Sequence, residues 1–172
     1  MPPTQAPTSP STPAAMDAAM PPPVRRFDAR AASWLARHGH PALRISLAIV
    51  FVWFGLLKPL GASPANELVT RTVYWFDPAW FVPMLGWWEV AIGLFMLWRV
   101  TTRLALLLLV LQMPGTFLPL VLLPDVCWVH VPWAPTLEGQ YIIKNLVLIA
   151  AAMVVGGTVR RGAAQDAAQH YG

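Results

Sequence analysis

Cysteine is almost absent from this sequence, which contains only Cys127. A single thiol cannot form a disulfide within the chain, and it cannot form the CxxC pair of dithiol redox chemistry. Cys127 lies in the segment "DVCWVH" together with Asp125 and His130, but the spacing of these three residues matches no defined metal site. We therefore predict no metal centre. We interpret Cys127 as an interfacial cysteine; a thiol exposed there could oxidise or link two chains.

Charged residues are also scarce. Asp, Glu, Lys and Arg make up 12% of the chain and hydrophobic residues 56%, whereas a soluble domain is roughly a quarter charged. Apolar residues in such excess must face lipid. Four segments approach the roughly 20 apolar residues that a helix needs to cross a bilayer, namely 43–61, 80–98, 104–123 and 141–157. The sequence predicts an all-α integral membrane four-helix bundle in a lipid bilayer.

Basic residues are missing from the loops on one side of these spans. Residues 124–140 contain no Lys or Arg, and residues 62–79 contain only Arg71. The other side carries most of the arginines: Arg25, Arg26, Arg30, Arg37, Arg44, Arg99, Arg103, Arg160 and Arg161. The positive-inside rule then places both termini in the cytoplasm. Because topology accounts for the net charge of +4, no nucleic-acid partner is predicted.

The segments that flank the spans differ in composition. Residues 1–23 are rich in Pro and Ala, and they lack the basic start and apolar core of a signal peptide. We predict a disordered tail for 1–23, a four-helix transmembrane domain for 41–159 and a polar tail for 160–172.

Residues 24–40 have the spacing of an amphipathic helix, which we predict to lie on the inner leaflet. The alternative is that the arginines in this segment only set the orientation of the first span. The apolar positions are Val24, Phe27, Ala31, Trp34 and Leu35.

Three ionisable residues fall within the predicted spans: Lys58, Glu89 and Lys144. A charge at mid-bilayer costs roughly 2.5–3.5 kcal/mol on insertion scales, so each needs a partner or a water-filled cavity. Because chain direction alternates, all three belong to the outer half of the bilayer, with Glu89 about 10 Å below its boundary at 1.5 Å per residue. Gly86 and Gly93 share a helical face with Glu89, which predicts that Glu89 points into the bundle.

Gln112 in the third span adds a polar group to the predicted interior. If Lys58, Glu89 and Lys144 converge in their charged forms, the cluster carries +1 and favours a small anion, an oxidant or a quinone head group. In the alternative interpretation both lysines reach the headgroups, Gln112 joins helices, and the charges only clamp the bundle. The predicted spans contain no His, which excludes a bis-histidine haem inside the bundle, and the chain has no nucleotide-binding motif.

Three motifs resemble the DoxX-like superfamily of four-helix membrane proteins, and its YkgB-type, reactive-chlorine-resistance branch in particular. They are "LRISLAIVFVWFGLLK", "GWWEVAIGLFML" and "LEGQYIIKNLVLIAAAMVV". The resemblance covers about residues 43–157, and the first outer loop here is shorter than in that branch. The residues that carry it are Gly55, Lys58, Glu89, Gly93 and Lys144.

This resemblance implies a multi-pass protein of the bacterial cytoplasmic membrane with a role in oxidative-stress defence, and it links distant relatives to thiosulfate and quinone chemistry. We predict a membrane component of a redox or oxidative-stress system in which electrons pass through a diffusible quinone or through a membrane or periplasmic partner. Two alternatives stay open. One is a small-solute or proton-coupled transporter, which would need a homo-oligomer because one chain has few helices. The other is a structural assembly partner.

Overall fold

The computed structural model describes the backbone of residues 21–170 and the side chains of residues 21–157. Four helical segments in it are long and apolar enough to cross a membrane, which confirms the predicted all-α, multi-pass membrane fold. The elements are α1 (Pro22–Leu57), α2 (Asn66–Thr72), α3 (Pro78–Leu97), α4 (Thr102–Phe117), α5 (Pro119–Leu122), α6 (Pro124–Cys127), β1 (Trp128–His130), β2 (Ala134–Pro135), α7 (Leu137–Ile143) and α8 (Asn145–His170).

The chain divides into two units, 1–39 and 40–172. In the first unit the described residues, 21–39, are helical from Pro22 onward, and their large apolar side chains are exposed, including Phe27 and Trp34. Residues 24–40 are helical, and α1 continues through Pro41 into the first predicted span. The position of residues 24–40 on the inner leaflet stays a prediction. The predicted tail at 1–23 lies almost wholly outside the described residues, and the backbone of 160–170 continues α8.

In the second unit the third and fourth spans are each made of two helices. The third joins α4 and α5 across Leu118, where Pro119 begins the new helix. The fourth joins α7 and α8 across Lys144, where helical hydrogen bonding is interrupted for one residue although the backbone stays right-handed (φ −58°, ψ −19°), and the span Leu137–Gly157 contains the predicted segment 141–157. Asn145 Nδ2 donates to the carbonyl oxygens of Tyr141 (3.2 Å) and Ile142 (3.0 Å), which satisfies acceptors exposed by the interruption.

The core of the second unit draws side chains from all four spans. Within each span these residues recur mostly three or four positions apart, which is the spacing of one helical face. They are Leu47, Ala48, Phe51, Ile92, Met96, Ala105, Leu109, Met113, Ala152 and Val155.

Three glycines bring the backbones of α1 and α3 into direct contact. A Cβ atom on Gly55 would stand 2.7 Å from the Gly86 carbonyl oxygen, and one on Gly86 would stand 2.6 Å from the Gly55 carbonyl oxygen. Further along, a Cβ on Gly93 would meet the Ala48 carbonyl oxygen at 2.7 Å and the Val52 side chain at 2.6 Å. Apolar side chains gain little by leaving lipid, so close packing of small residues is a main source of helix association in a membrane.

Candidate functional site

Lys58 lies in the turn that ends α1 and is buried, with 7% of its surface exposed. Pro59 follows it and cannot continue a helix, since its ring removes the N–H group. Gly61 then adopts a φ of 69°, a left-handed conformation that glycine allows without strain. Lys58 Nζ donates to Glu89 Oε2 at 2.5 Å. The Lys58 ammonium therefore contacts a neighbouring helix, α3.

Glu89 connects three spans. It projects from the glycine-bearing face of α3, and its side chain is 12% exposed. One carboxylate oxygen accepts from Lys58 at the end of the first span, and the other accepts from Gln112 Nε2 of α4 at 2.8 Å. The prediction that Glu89 and Gln112 face the interior is confirmed. We name Lys58, Glu89 and Gln112 the polar triad.

Gln112 leaves one hydrogen-bonding atom unused. Its Oε1 is buried and has no hydrogen-bond partner among the side chains and backbone groups that the structure describes. A buried acceptor without a partner costs about 1–3 kcal/mol. The Gln112 amide therefore joins α4 to α3 through Glu89, and its own oxygen is left without a partner among the described residues.

Lys144 does not join the polar triad. It caps the C-terminus of α7, its side chain is exposed, and its Nζ lies 5.0 Å from the centre of the Tyr141 ring, a cation–π arrangement. The interruption between α7 and α8 falls at Lys144 itself. The charged groups that do converge are one ammonium and one carboxylate. The net charge of the cluster is therefore zero, whereas the sequence predicts +1.

A cavity of about 350 Å³ opens beside Lys58, between the turn that follows α1, helix α2 and the first turns of α3. We name it the outer cavity, after the predicted topology. Two of its lining residues, Asn66 and Thr70, lie four positions apart on α2 and were not predicted from the sequence. Their i, i+4 spacing in a loop between spans is a signal that could have identified them. The other lining residues that matter here are Lys58, Pro59, Pro78 and Pro83.

A larger cavity of about 550 Å³ lies against α1 and α3. Its lining is almost entirely apolar and includes Ile49, Trp53, Leu56 and Leu94. Because the Trp53 indole is the one lining side chain that can form a hydrogen bond, the cavity has the character of a lipid-facing groove, and the candidate site is the outer cavity.

Of the polar triad only Lys58 lines the outer cavity, and its ammonium is the group that can donate to a molecule there. An ammonium group has three N–H donors and no acceptor, and Lys58 uses one of them on Glu89. Glu89 holds the Lys58 ammonium in place through this hydrogen bond. The chemistry available is donation from a cation to an electron-rich oxygen atom.

No family model matches this chain, and neither a curated protein nor a solved structure is found that matches it. Fold and site together define a multi-pass helical membrane protein with a buried Lys–Glu pair between its first two spans. The likeness to the DoxX-like superfamily stays a prediction.

Cys127 is buried, with 0% of its surface exposed, so an exposed thiol is not what the structure shows. The Cys127 Sγ–H donates to the Pro119 carbonyl oxygen at 3.4 Å. Gly139 packs against the carbonyl group of Cys127. Burial raises the pKa of the Cys127 thiol, and the Glu138 carboxylate raises this pKa further. Asp125 and His130 do not assemble with it, since the described residues contain no group of three metal-binding side chains.

We therefore expect the Cys127 thiol to resist alkylation in the folded protein. A raised pKa means that the reactive thiolate is scarce at pH 8, and burial blocks access as well. Labelling with a water-soluble maleimide is expected to be at least about tenfold slower in mild detergent than after unfolding in SDS. Equal rates in the two conditions would show that the thiol is accessible.

Proposed function

We propose that this protein is a membrane component of a redox or oxidative-stress system of the bacterial cytoplasmic membrane, and that it binds a quinone head group or a small oxidant at Lys58. One observation carries the proposal: Lys58 is buried, is held by Glu89 and at the same time lines the outer cavity. The resemblance to the DoxX-like superfamily supports the same class of function.

The charge balance of the site favours a neutral ligand. Glu89 already compensates Lys58, so an anion would gain less here than beside an unpaired lysine. A carbonyl oxygen needs only a hydrogen-bond donor. Lys58 has two N–H donors that are not bonded to Glu89. Among a small anion, an oxidant and a quinone, the site suits an uncharged oxygen acceptor best. Electrons would pass through the diffusible quinone or a partner protein.

A structural role is the second candidate, and a specific observation favours it. The Lys58–Glu89 pair joins α1 and α3 beside the contact between Gly55 and Gly86. Such a pair could serve only to hold the two helices in register, as in the assembly-partner alternative. The transporter alternative, and the homo-oligomer on which it depends, stay predictions.

Binding of a short-chain benzoquinone to the protein in lipid nanodiscs, followed by quenching of tryptophan fluorescence, tests the first proposal. Lys58→Met is expected to weaken binding by about 10- to 100-fold, because a hydrogen bond from a charged donor contributes about 1.5–3 kcal/mol. Lys144→Met is the matched control, since it removes an exposed lysine outside the polar triad, and its affinity is expected to equal that of the wild type. Unchanged affinity in Lys58→Met would refute the proposal.

A further inference from the structure

Arg44 lies near the end of the bundle that is opposite the outer cavity. We name this end the inner end, and it comprises the segments 40–48, 95–106 and 150–157. Arg44 shares the helical face of the buried Leu47 and Phe51, which follow three and seven positions later on α1. Its side chain is partly buried. Arg44 therefore belongs to the face of α1 that packs against the rest of the bundle.

The Arg44 guanidinium has hydrogen-bond donors that the protein does not use. Its Nε is buried and has no partner among the residues that the structure describes. The two terminal nitrogens, Nη1 and Nη2, also have no partner in the described part of the chain, but they keep accessible surface. Because the enclosed Nε fixes the stem of the side chain, the four N–H donors of the terminal nitrogens are the groups that can contact a ligand.

The inner end carries positive charge without an acidic side chain. Its three segments contain Arg44, Arg99 and Arg103, and they contain no Asp or Glu. The one ion pair that the described residues form, between Lys58 and Glu89, lies at the other end of the bundle. These segments therefore supply no counter-charge to the Arg44 guanidinium, and an external anion can supply it.

The contact between α1 and α3 places Arg44 level with the end of α3. Ala48 lies opposite Gly93, because a Cβ atom on this glycine would meet the Ala48 carbonyl oxygen at 2.7 Å. The two helices run antiparallel and rise equally per residue. Four residues before Ala48 is Arg44, and the level position on α3 is its last residue, Leu97. Arg99 follows two residues later and is exposed, so two arginines from separate segments lie at nearly the same depth.

We infer that Arg44 binds a phosphate group at the inner end, with Arg99 as a second cation. A guanidinium presents parallel N–H donors that match two oxygen atoms of one phosphate. The first predicted span begins at residue 43, so Arg44 lies at the boundary of the hydrocarbon core, where phospholipids carry such a group. Free phosphate offers the same chemistry from the aqueous phase. The inference does not rest on the proposed function, whose site lies at the opposite end of α1.

Native mass spectrometry of the full chain in a neutral detergent tests the inference. One arm measures the affinity for dioctanoyl phosphatidylglycerol, and the other measures the affinity for inorganic phosphate. Arg44→Leu is expected to weaken binding by about 5- to 30-fold, the effect of losing a hydrogen-bonded cation near a membrane surface. Arg44→Lys keeps the charge but lacks the planar pair of donors, so its affinity is expected to lie between those of Arg44→Leu and the wild type.

Arg71→Leu is the matched control, because Arg71 is an exposed arginine on α2, beyond the inner end. Its affinity is expected to equal that of the wild type. Thermal unfolding checks that each variant is folded, and Arg44→Lys decides the test if Arg44→Leu does not fold. Dependence on Arg44 in the lipid arm identifies a phospholipid as the source of the phosphate, and dependence in the phosphate arm alone identifies free phosphate. Wild-type affinity of the folded Arg44 variant in both arms would overturn the inference.

Discussion

Gly86→Leu is expected to prevent the protein from folding. Even the first added carbon would stand 2.6 Å from the Gly55 carbonyl oxygen and 2.8 Å from Lys58 Cβ, and neither the α1 backbone nor a Cβ atom can move without displacing the helix. Overpacking typically costs about 1–3 kcal/mol, which is the loss we expect from Gly86→Ala. The leucine side chain adds three further carbons at the same contact and must separate α1 from α3.

Gly115→Leu on α4 is the matched control, because a Cβ atom at Gly115 would have no neighbour within 4 Å. Thermal unfolding in mild detergent, followed by circular dichroism, measures both variants. Gly115→Leu is expected to unfold near the wild-type temperature, while Gly86→Leu is expected to show no cooperative transition. A wild-type transition in Gly86→Leu would show that α1 and α3 do not meet at this glycine.

Glu89→Leu is expected to cost about 3–5 kcal/mol, the usual effect of leaving a buried charge without its partner. The variant would leave Lys58 with 7% exposure and no carboxylate, and it would also remove the acceptor of Gln112 Nε2. Unfolding by SDS in mixed micelles gives the change in free energy. A loss below about 1 kcal/mol, the value typical of an exposed pair, would mean that the pair is not buried.

The double variant Lys58→Met/Glu89→Leu separates the structural role from the binding role. Replacing both members of a buried pair by apolar residues is often neutral or stabilising, so the double variant is expected to recover most of the stability that Glu89→Leu loses. Under the proposed function it folds but no longer binds the benzoquinone. If it folds and still binds with wild-type affinity, the polar triad is a clamp between helices, as the second candidate holds.

The polar triad shows how far sequence reasoning reaches. Glu89 could be placed in the interior because Gly86 and Gly93 share its helical face, and the periodicity of a helix follows from residue number alone. Depth, which also follows from residue number, predicts that Lys144 joins Glu89. Whether a residue at that depth turns toward the partner helix depends on how the fourth span rotates. In the structure the Lys144 side chain is exposed and lies beside Tyr141.

The outer cavity could not be predicted for a different reason. Asn66 and Thr70 belong to a short helix that has no hydrophobic run by which it could be predicted. Their position beside Lys58 depends on how that helix packs near the ends of α1 and α3. The burial of Cys127 has a similar origin, because the turn at Pro119 and the close approach of Gly139 enclose it. Contacts between segments distant in the chain leave no periodic signal in either one.

By itself the sequence determined that this protein is a multi-pass helical membrane protein, because the length and apolarity of a span are properties of a continuous segment. It also determined which ionisable groups need partners, since the cost of a charge in lipid depends on residue type and depth. Only the tertiary structure decided which partners they have, pairing Lys58 with Glu89 and Gln112 and leaving Lys144 beside Tyr141. Which side chains become partners depends on how separate helices rotate and where they touch. For α1 and α3 the close approach of Gly55 and Gly86 sets this contact.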